Sequence, residues 1–202
     1  MYLGLNHLGL NRQGGVAPFS PSSLYAGSAK GLWYDTGDLT SMFQESGGTT
    51  PAVVGQPIGK FNDLSGNGLH GLQATSAARP VLASGPASAT LDGIDDGFAT
   101  AAFAAGTLGA DMTLMVPVRR AAATDVVLAF QTSGAGVYCG LAAAGIGALA
   151  YSNAGTPTHL VNGVAVPGGT ATTAGQLHTA LPVGEWCILE IRNLDMTGCV
   201  HI

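Results

Sequence analysis

Two short segments, Asp63-Leu64-Ser65-Gly66-Asn67-Gly68-Leu69-His70 and Leu91-Asp92-Gly93-Ile94-Asp95-Asp96-Gly97-Phe98, constrain this chain more than any other stretch of it. Each holds a small polar cluster with two glycines between apolar flanks, the pattern of a tight reversal between short strands. In the first, the flanks are residues 58–64 and 69–72, and Asn67-Gly68 is a dipeptide that tolerates positive φ. In the second, Leu91 and Phe98 are expected to point inward, while Asp92-Gly93 and Asp96-Gly97 supply side-chain caps and left-handed backbone positions.

The rest of the chain from Leu24 onward obeys the same grammar. Short apolar stretches are punctuated by Gly, Pro, Asn and Ser, which predicts strands at 31–35, 58–64, 89–92, 112–119, 125–131, 136–142, 148–152, 159–166 and 186–192. Alternation assigns faces: Met112, Leu114, Val116 and Val118 share one side, and Cys187, Leu189 and Ile191 oppose Trp186, Ile188, Glu190 and Arg192. Pro117 removes a ladder donor and predicts a sheet edge or bulge, and Val161-Asn162-Gly163-Val164 reads as a two-residue hairpin turn. One helical turn is expected, Asp38 capping Leu39 to Phe43, with Trp33 and Tyr34 anchoring this piece to the core.

Composition excludes several function classes. Only 9% of the 202 residues are charged and the net charge is −5, which argues against a groove that neutralises many phosphates. The hydrophobic share is 47%, but the most apolar stretch, 137–151, is interrupted by Gly140, Gly145 and Gly147 and falls short of the roughly 20 residues of a spanning helix. The first ten residues lack a basic region ahead of a continuous apolar run and do not read as a secretory signal. A surface so poor in charge implies burial against neighbours. The three cysteines, Cys139, Cys187 and Cys199, have no paired spacing and are read as reduced, Cys187 behaving as a small hydrophobe in an apolar strand.

Residues 1–23 differ in character from the rest of the chain, with a near-repeat of Leu-Gly-Leu-Asn, then Gly14-Gly15 and Pro18 and Pro21. They read as an arm that becomes ordered by docking on other proteins, Tyr2, Leu3, Leu5, Leu8 and Leu10 being the docking residues. The remainder, 24–202, reads as one sandwich domain.

The segments DLSGNGLHG and LDGIDDGF, followed by the apolar strand from Asp111 to Val116, resemble the laminin G-like branch of the concanavalin A-like jelly rolls. Residues 24–82 are similar to a segment recurring in structural proteins of tailed bacteriophages and prophages. The resemblance implies an all-β jelly-roll sandwich with one short helix and an extended N-terminal arm. It implies a noncatalytic virion protein of head-fibre, decoration or tail-fibre type, assembled in the host bacterial cytoplasm. The arm would dock on capsid or tail proteins, and the chain would form a homo-oligomer, a trimer by analogy with fibres. Laminin G-like domains usually carry further strands after the segment resembling 186–195, so the sandwich is either shortened, continued in a longer product, or completed by another subunit.

Catalytic residues are not expected. The three glutamates, Glu45, Glu185 and Glu190, do not form the paired carboxylates of a glycosidase, and no Gly-x-Ser-x-Gly elbow accompanies the serines. The five histidines, His7, His70, His159, His178 and His201, lack metal-ligand spacing, and no phosphate loop sits between a strand and a helix. No cofactor is expected; calcium is the ligand the resemblance suggests, with Asp63, Asn67, Asp95 and Asp96 offering oxygens, although turn capping explains each of them without a metal. Two rival functions remain open. One is a host-glycan-binding adhesin using Tyr151, Asn153 and Trp186, and the other is a polysaccharide-degrading enzyme.

Overall fold

The structure, a computed structural model, describes residues 20–85, 87–122, 129–131, 138–141, 151–152 and 155–198. Among them the chain is all-β in class, built from antiparallel sheets with short helical turns. The strands are β1 (Met42–Phe43), β2 (Lys60–Phe61), β3 (Gly71–Leu72), β4 (Val81–Ala83), β5 (Ser88–Thr90), β6 (Ala99–Thr100) and β7 (Met112–Val118) in the first part. The second part holds β8 (Ala129–Gln131), β9 (Tyr138–Leu141), β10 (Tyr151–Ser152), β11 (Gly155–Val161), β12 (Val164–Ala165), helix α1 (Ala174–Ala180) and β13 (Cys187–Leu194). They pair as β1-β2-β3-β6, β4-β5, β10-β9-β8 and β12-β11-β13-β7.

The last of these sheets carries the larger core. Val161, Leu189 and Val116 face one another across β11, β13 and β7, and His159, Ile191 and Leu114 form the next row on the same face. Helix α1 lays Leu177 and Leu181 against this face, and Leu69, Leu108 and Met196 close it from the loops. Each fully buried Leu or Ile contributes roughly 1.5–3 kcal/mol of transfer free energy, so this row pattern anchors the C-terminal half of the molecule.

Helix α1 starts at Thr173, whose hydroxyl accepts the Gln176 N–H at 3.2 Å while the Gln176 side chain accepts the Thr173 N–H at 2.8 Å. That reciprocal pair satisfies two donors otherwise orphaned at a helix start. The Thr-x-x-Gln spacing was the available signal for a helix that alternation alone overlooks.

A second, smaller core lies under the sheet β1-β2-β3-β6: Met42, Ala52, Ile58, Phe61 and Leu82 are buried, with Tyr34, Ala89 and Phe98 packed on them. Phe61 meets Tyr34 and Phe98 edge to face, at centroid separations of 5.8 and 5.2 Å, the geometry aromatic quadrupoles favour.

The long strands agree with the sequence reading. In β7 the even-numbered residues are half-buried and the odd ones exposed, and Pro117 lies on an edge strand of its sheet. The hairpin between β11 and β12 turns at Asn162 (φ 50°) and Gly163 (φ 78°), and the Asn162 side chain accepts the Ile188 N–H at 2.9 Å.

Other expectations are corrected. Asp38 does cap a helical turn, accepting the Thr40 N–H, but the turn ends at Ser41; Met42 is extended (φ −117°, ψ 141°) because pairing with Phe61 buries it completely. Residues 31–35 form no ladder, since the Trp33 N–H goes to the Asp63 carboxylate instead of a neighbouring strand. Strand structure in 58–64 is confined to β2, which pairs with β3 in the 69–72 flank across the first turn, while β1, β4 and β6 lie outside the expected strands, being only two or three residues long. Leu91 does not point inward: it is 56% exposed, because β5 ends at Thr90 and the chain leaves the sheet into the acidic turn. Gly66, Gly68 and Gly93 take positive φ, whereas Asn67 and Gly97 do not. The predicted strands at 125–131, 136–142 and 148–152 are described only as β8, β9 and β10.

Candidate functional site

The first turn is a structural knot built around Asp63. One carboxylate oxygen accepts the N–H groups of Trp33 and Ser65, both at 2.9 Å, and the other accepts the Ser65 hydroxyl at 2.8 Å and the Leu69 N–H at 3.0 Å. Burial by itself would raise the pKa of this group, but these four donors outweigh it and hold the carboxyl below its usual value. The Asp63 N–H in turn donates to Nδ1 of His70 at 3.0 Å, which fixes that ring beside the turn. Asn67 donates its amide to the carbonyls of Ala29 and Gly31, and the Tyr34 hydroxyl donates to the Leu69 carbonyl. The Asp63 carboxylate and the Asn67 amide nitrogen thus tie the segment around Trp33 to the turn.

The second turn gathers Asp92, Asp95 and Asp96, whose carboxylate oxygens lie within 4.8 Å of one another. Asp92 accepts the N–H groups of Ile94 and Asp95 at 2.8 and 3.3 Å, and Asp96 accepts the Asp92 N–H at 2.9 Å. The Ile94 N–H is the main reason the Asp92 carboxyl sits below its ordinary pKa. The four residues read from sequence as calcium ligands therefore do not form one set. Asp95 and Asp96 belong with Asp92, while Asp63 and Asn67 are engaged in the other turn. Calcium takes six to eight oxygens; the first turn spends both Asp63 oxygens on four protein donors, while the second brings three carboxylates together, two of which also accept backbone N–H groups.

The glutamates are also accounted for locally. Glu45 accepts the Thr50 N–H at 2.7 Å and the Thr49 hydroxyl at 2.8 Å, which pulls its carboxyl down to about 2. Glu190 is buried on β13 and pairs with Arg192 at 2.6 Å. Glu185 stands at the rim of an open groove between the β11–β12 hairpin and the end of α1, lined by Val161, Val166, Ala180 and Pro182.

Of the glycan residues, Trp186 is 43% exposed at the start of β13; Tyr151 falls in β10, and its side chain, like Asn153, lies outside what the structure describes. The arm residues Tyr2, Leu3, Leu5, Leu8 and Leu10 lie outside the described residues as well. So do His7, His201 and Cys199 and the side chain of Cys139, whereas Cys187 is a buried free thiol with its pKa raised by burial.

Two features escaped sequence reading. Arg120 and His178 are both buried and in contact, the guanidinium donating to the imidazole at 2.8 Å, which joins the end of β7 to α1. The other is a set of large exposed aliphatics: Val53, Val54, Val81, Leu91, Ile94 and Val164 range from 41% to 87% exposed. Sequence patterning assigns such residues to a core by default, and only the chain path shows that they have none to enter. Among the described residues no helix is long and apolar enough to cross a membrane. Comparison of the chain with family models, with curated proteins and with solved structures finds no match.

Proposed function

We propose that the chain is a noncatalytic structural protein of a tailed-phage virion: a jelly-roll, laminin G-like body of head-fibre, decoration or tail-fibre type, tethered through residues 1–23. The observation that carries this reading is the mismatch between charge and exposure. Only 9% of the residues are charged, yet Ile94 is 87%, Val164 71% and Met115 63% exposed. A protein that works alone in solution relies on charge for solubility, and exposed apolar faces mark contacts with other molecules. A subunit covered by neighbours does not need that charge. The resemblance to tailed-phage structural proteins read from the sequence of residues 24–82 points the same way.

The jelly-roll reading is supported by the antiparallel β12-β11-β13-β7 sheet, which packs one face on the core and leaves Met115 and Ile188 exposed on the other, as each sheet of a sandwich does.

The test is incorporation. Purified particles of the phage encoding this chain, examined by quantitative mass spectrometry, should contain the full chain in many copies. A variant lacking residues 1–15 should fold, by circular dichroism, but be missing from particles. Absence of the full chain from particles would overturn the proposal, and normal incorporation of the truncation would remove the tether from it.

A further inference from the structure

Charge is unevenly distributed along this chain. All 12 acidic residues lie at or beyond Asp35, whereas the one charged side chain of residues 1–23 is Arg12. The leading segment is thus leucine-rich with a single basic side chain and no acidic one, and the rest of the chain carries the net negative charge.

The body offers a surface of matching chemistry around β4. On one side of β4, the turn at 53–56 hydrogen-bonds along the strand, Gly55 N–H to the Leu82 carbonyl at 2.8 Å and Leu82 N–H to the Gln56 carbonyl at 3.0 Å. On the other side β5 pairs with it and runs directly into the acidic turn. This places Val53 (52% exposed), Val54 (53%), Val81 (41%), Leu91 (56%) and Ile94 (87%) around one three-residue strand, about 10 Å long. The three carboxylates of Asp92, Asp95 and Asp96 sit at one end of this surface. It combines exposed aliphatic side chains with a local charge of the sign the leading segment lacks.

We infer that this surface receives the N-terminal arm of a second copy of the chain, the arm leucines covering the aliphatic residues and Arg12 meeting the acidic turn. This rests on residues 1–23 being a docking arm, as proposed above, and names another copy as its partner. Reach is not limiting: 19 extended residues span on the order of 60 Å, against a body with a radius of gyration of roughly 16 Å. Ser20, the first described residue, is extended (φ −121°, ψ 133°), and Pro21 opens the adjoining turn. In a closed oligomer each copy would give one arm and receive one.

The experiment measures self-association of the purified full chain by sedimentation equilibrium. Variants are a deletion of residues 1–19, Ile94→Asp, Arg12→Asp, Asp95→Arg, and Arg12→Asp combined with Asp95→Arg. Ile94 and Asp95 are exposed, so these changes leave the fold intact, checked by circular dichroism. The expected result is that the full chain associates, that the deletion and Ile94→Asp each weaken association at least tenfold, and that each charge reversal weakens it severalfold while the double reversal recovers it. A synthetic peptide of residues 1–19 should bind the arm-deleted body and not its Ile94→Asp form. A monomeric full chain, association indifferent to both the deletion and Ile94→Asp, or an arm that cross-links only within its own chain would overturn the inference. Self-association of this kind by a chain absent from particles would leave the inference standing and the virion reading refuted. Incorporation of a monomeric Ile94→Asp chain would leave the virion reading standing and show that arm exchange is not needed for it.

Discussion

The backbone N–H of Trp33 donates to the carboxylate of Asp63 at 2.9 Å, across 30 residues of sequence. The same carboxylate also gathers Ser65 and Leu69, so one side chain holds the entry segment, the first turn and the residues leading into β3 together. Replacing it isolates several buried donors at once. Asp63→Asn, which keeps the shape but turns one acceptor oxygen into a donor, should cost about 2–4 kcal/mol and lower Tm accordingly. Thermal and urea unfolding would check this; a loss under about 0.5 kcal/mol would mean the carboxylate is not what holds the knot.

His159 gives the fold a defined acid sensitivity. Burial on the inner face of β11 pushes its imidazole pKa down from 6.5 to about 4. As pH falls, the unfolded chain takes up that proton first. The stability due to the neutral buried ring is complete above about pH 6.5, declines between there and about 4, and amounts to on the order of 3 kcal/mol. Urea unfolding at steps between about pH 7.5 and 4.5, on the parent and on His159→Gln, should show a slope in the parent that exceeds the variant's by close to one proton. Parallel slopes would mean the ring does not titrate differently on folding.

Gly59 is required by close approach. A Cβ there would lie 2.7 Å from the Gln44 carbonyl oxygen and 2.7 Å from a backbone carbon of Glu45, atoms that cannot swing away because Gly59 N–H is bonded to the Phe43 carbonyl at 2.8 Å. Gly59→Ala should destabilise by about 2–4 kcal/mol. Gly47→Ala, where the added methyl meets nothing within 4 Å, should fall within about 0.5 kcal/mol of the parent. Differential scanning calorimetry of the pair would separate a steric cause from a general loss of glycine.

The capping box of α1 predicts a local effect. Thr173→Ala removes the acceptor for the Gln176 N–H and should cost about 1 kcal/mol. Amide exchange should accelerate at Leu177, whose N–H bonds the Thr173 carbonyl, more than at Leu189 in the neighbouring strand. Equal acceleration at both would show that the helix does not open independently of the sheet.

Element length governs how much of the fold is legible in the sequence. β7 and β13 run for seven and eight residues, enough for alternation to declare two faces, and the Asn162-Gly163 turn announces its backbone by residue type alone. β1, β3 and β6 have two residues each, too few for any period, and exist because Phe61, Met42 and Phe98 share a small core. The candidate sites divide likewise. The aspartates of both turns were evident, but which of them would cluster depended on where the chain carried them.

The order of residues by itself determined that this chain forms short antiparallel strands joined by glycine and aspartate turns, with a leucine-rich segment over residues 1–23 that has no acidic side chain, and net negative charge in the remainder. These properties are local: φ preferences, side-chain caps and charge need no distant partner. Only tertiary structure decided that Asp63 would bind inward to Trp33, that Asp92 would replace it beside Asp95 and Asp96, and that Ile94 and its aliphatic neighbours would be left exposed. Burial depends on what else arrives at the same place, and that is set by the path of the whole chain.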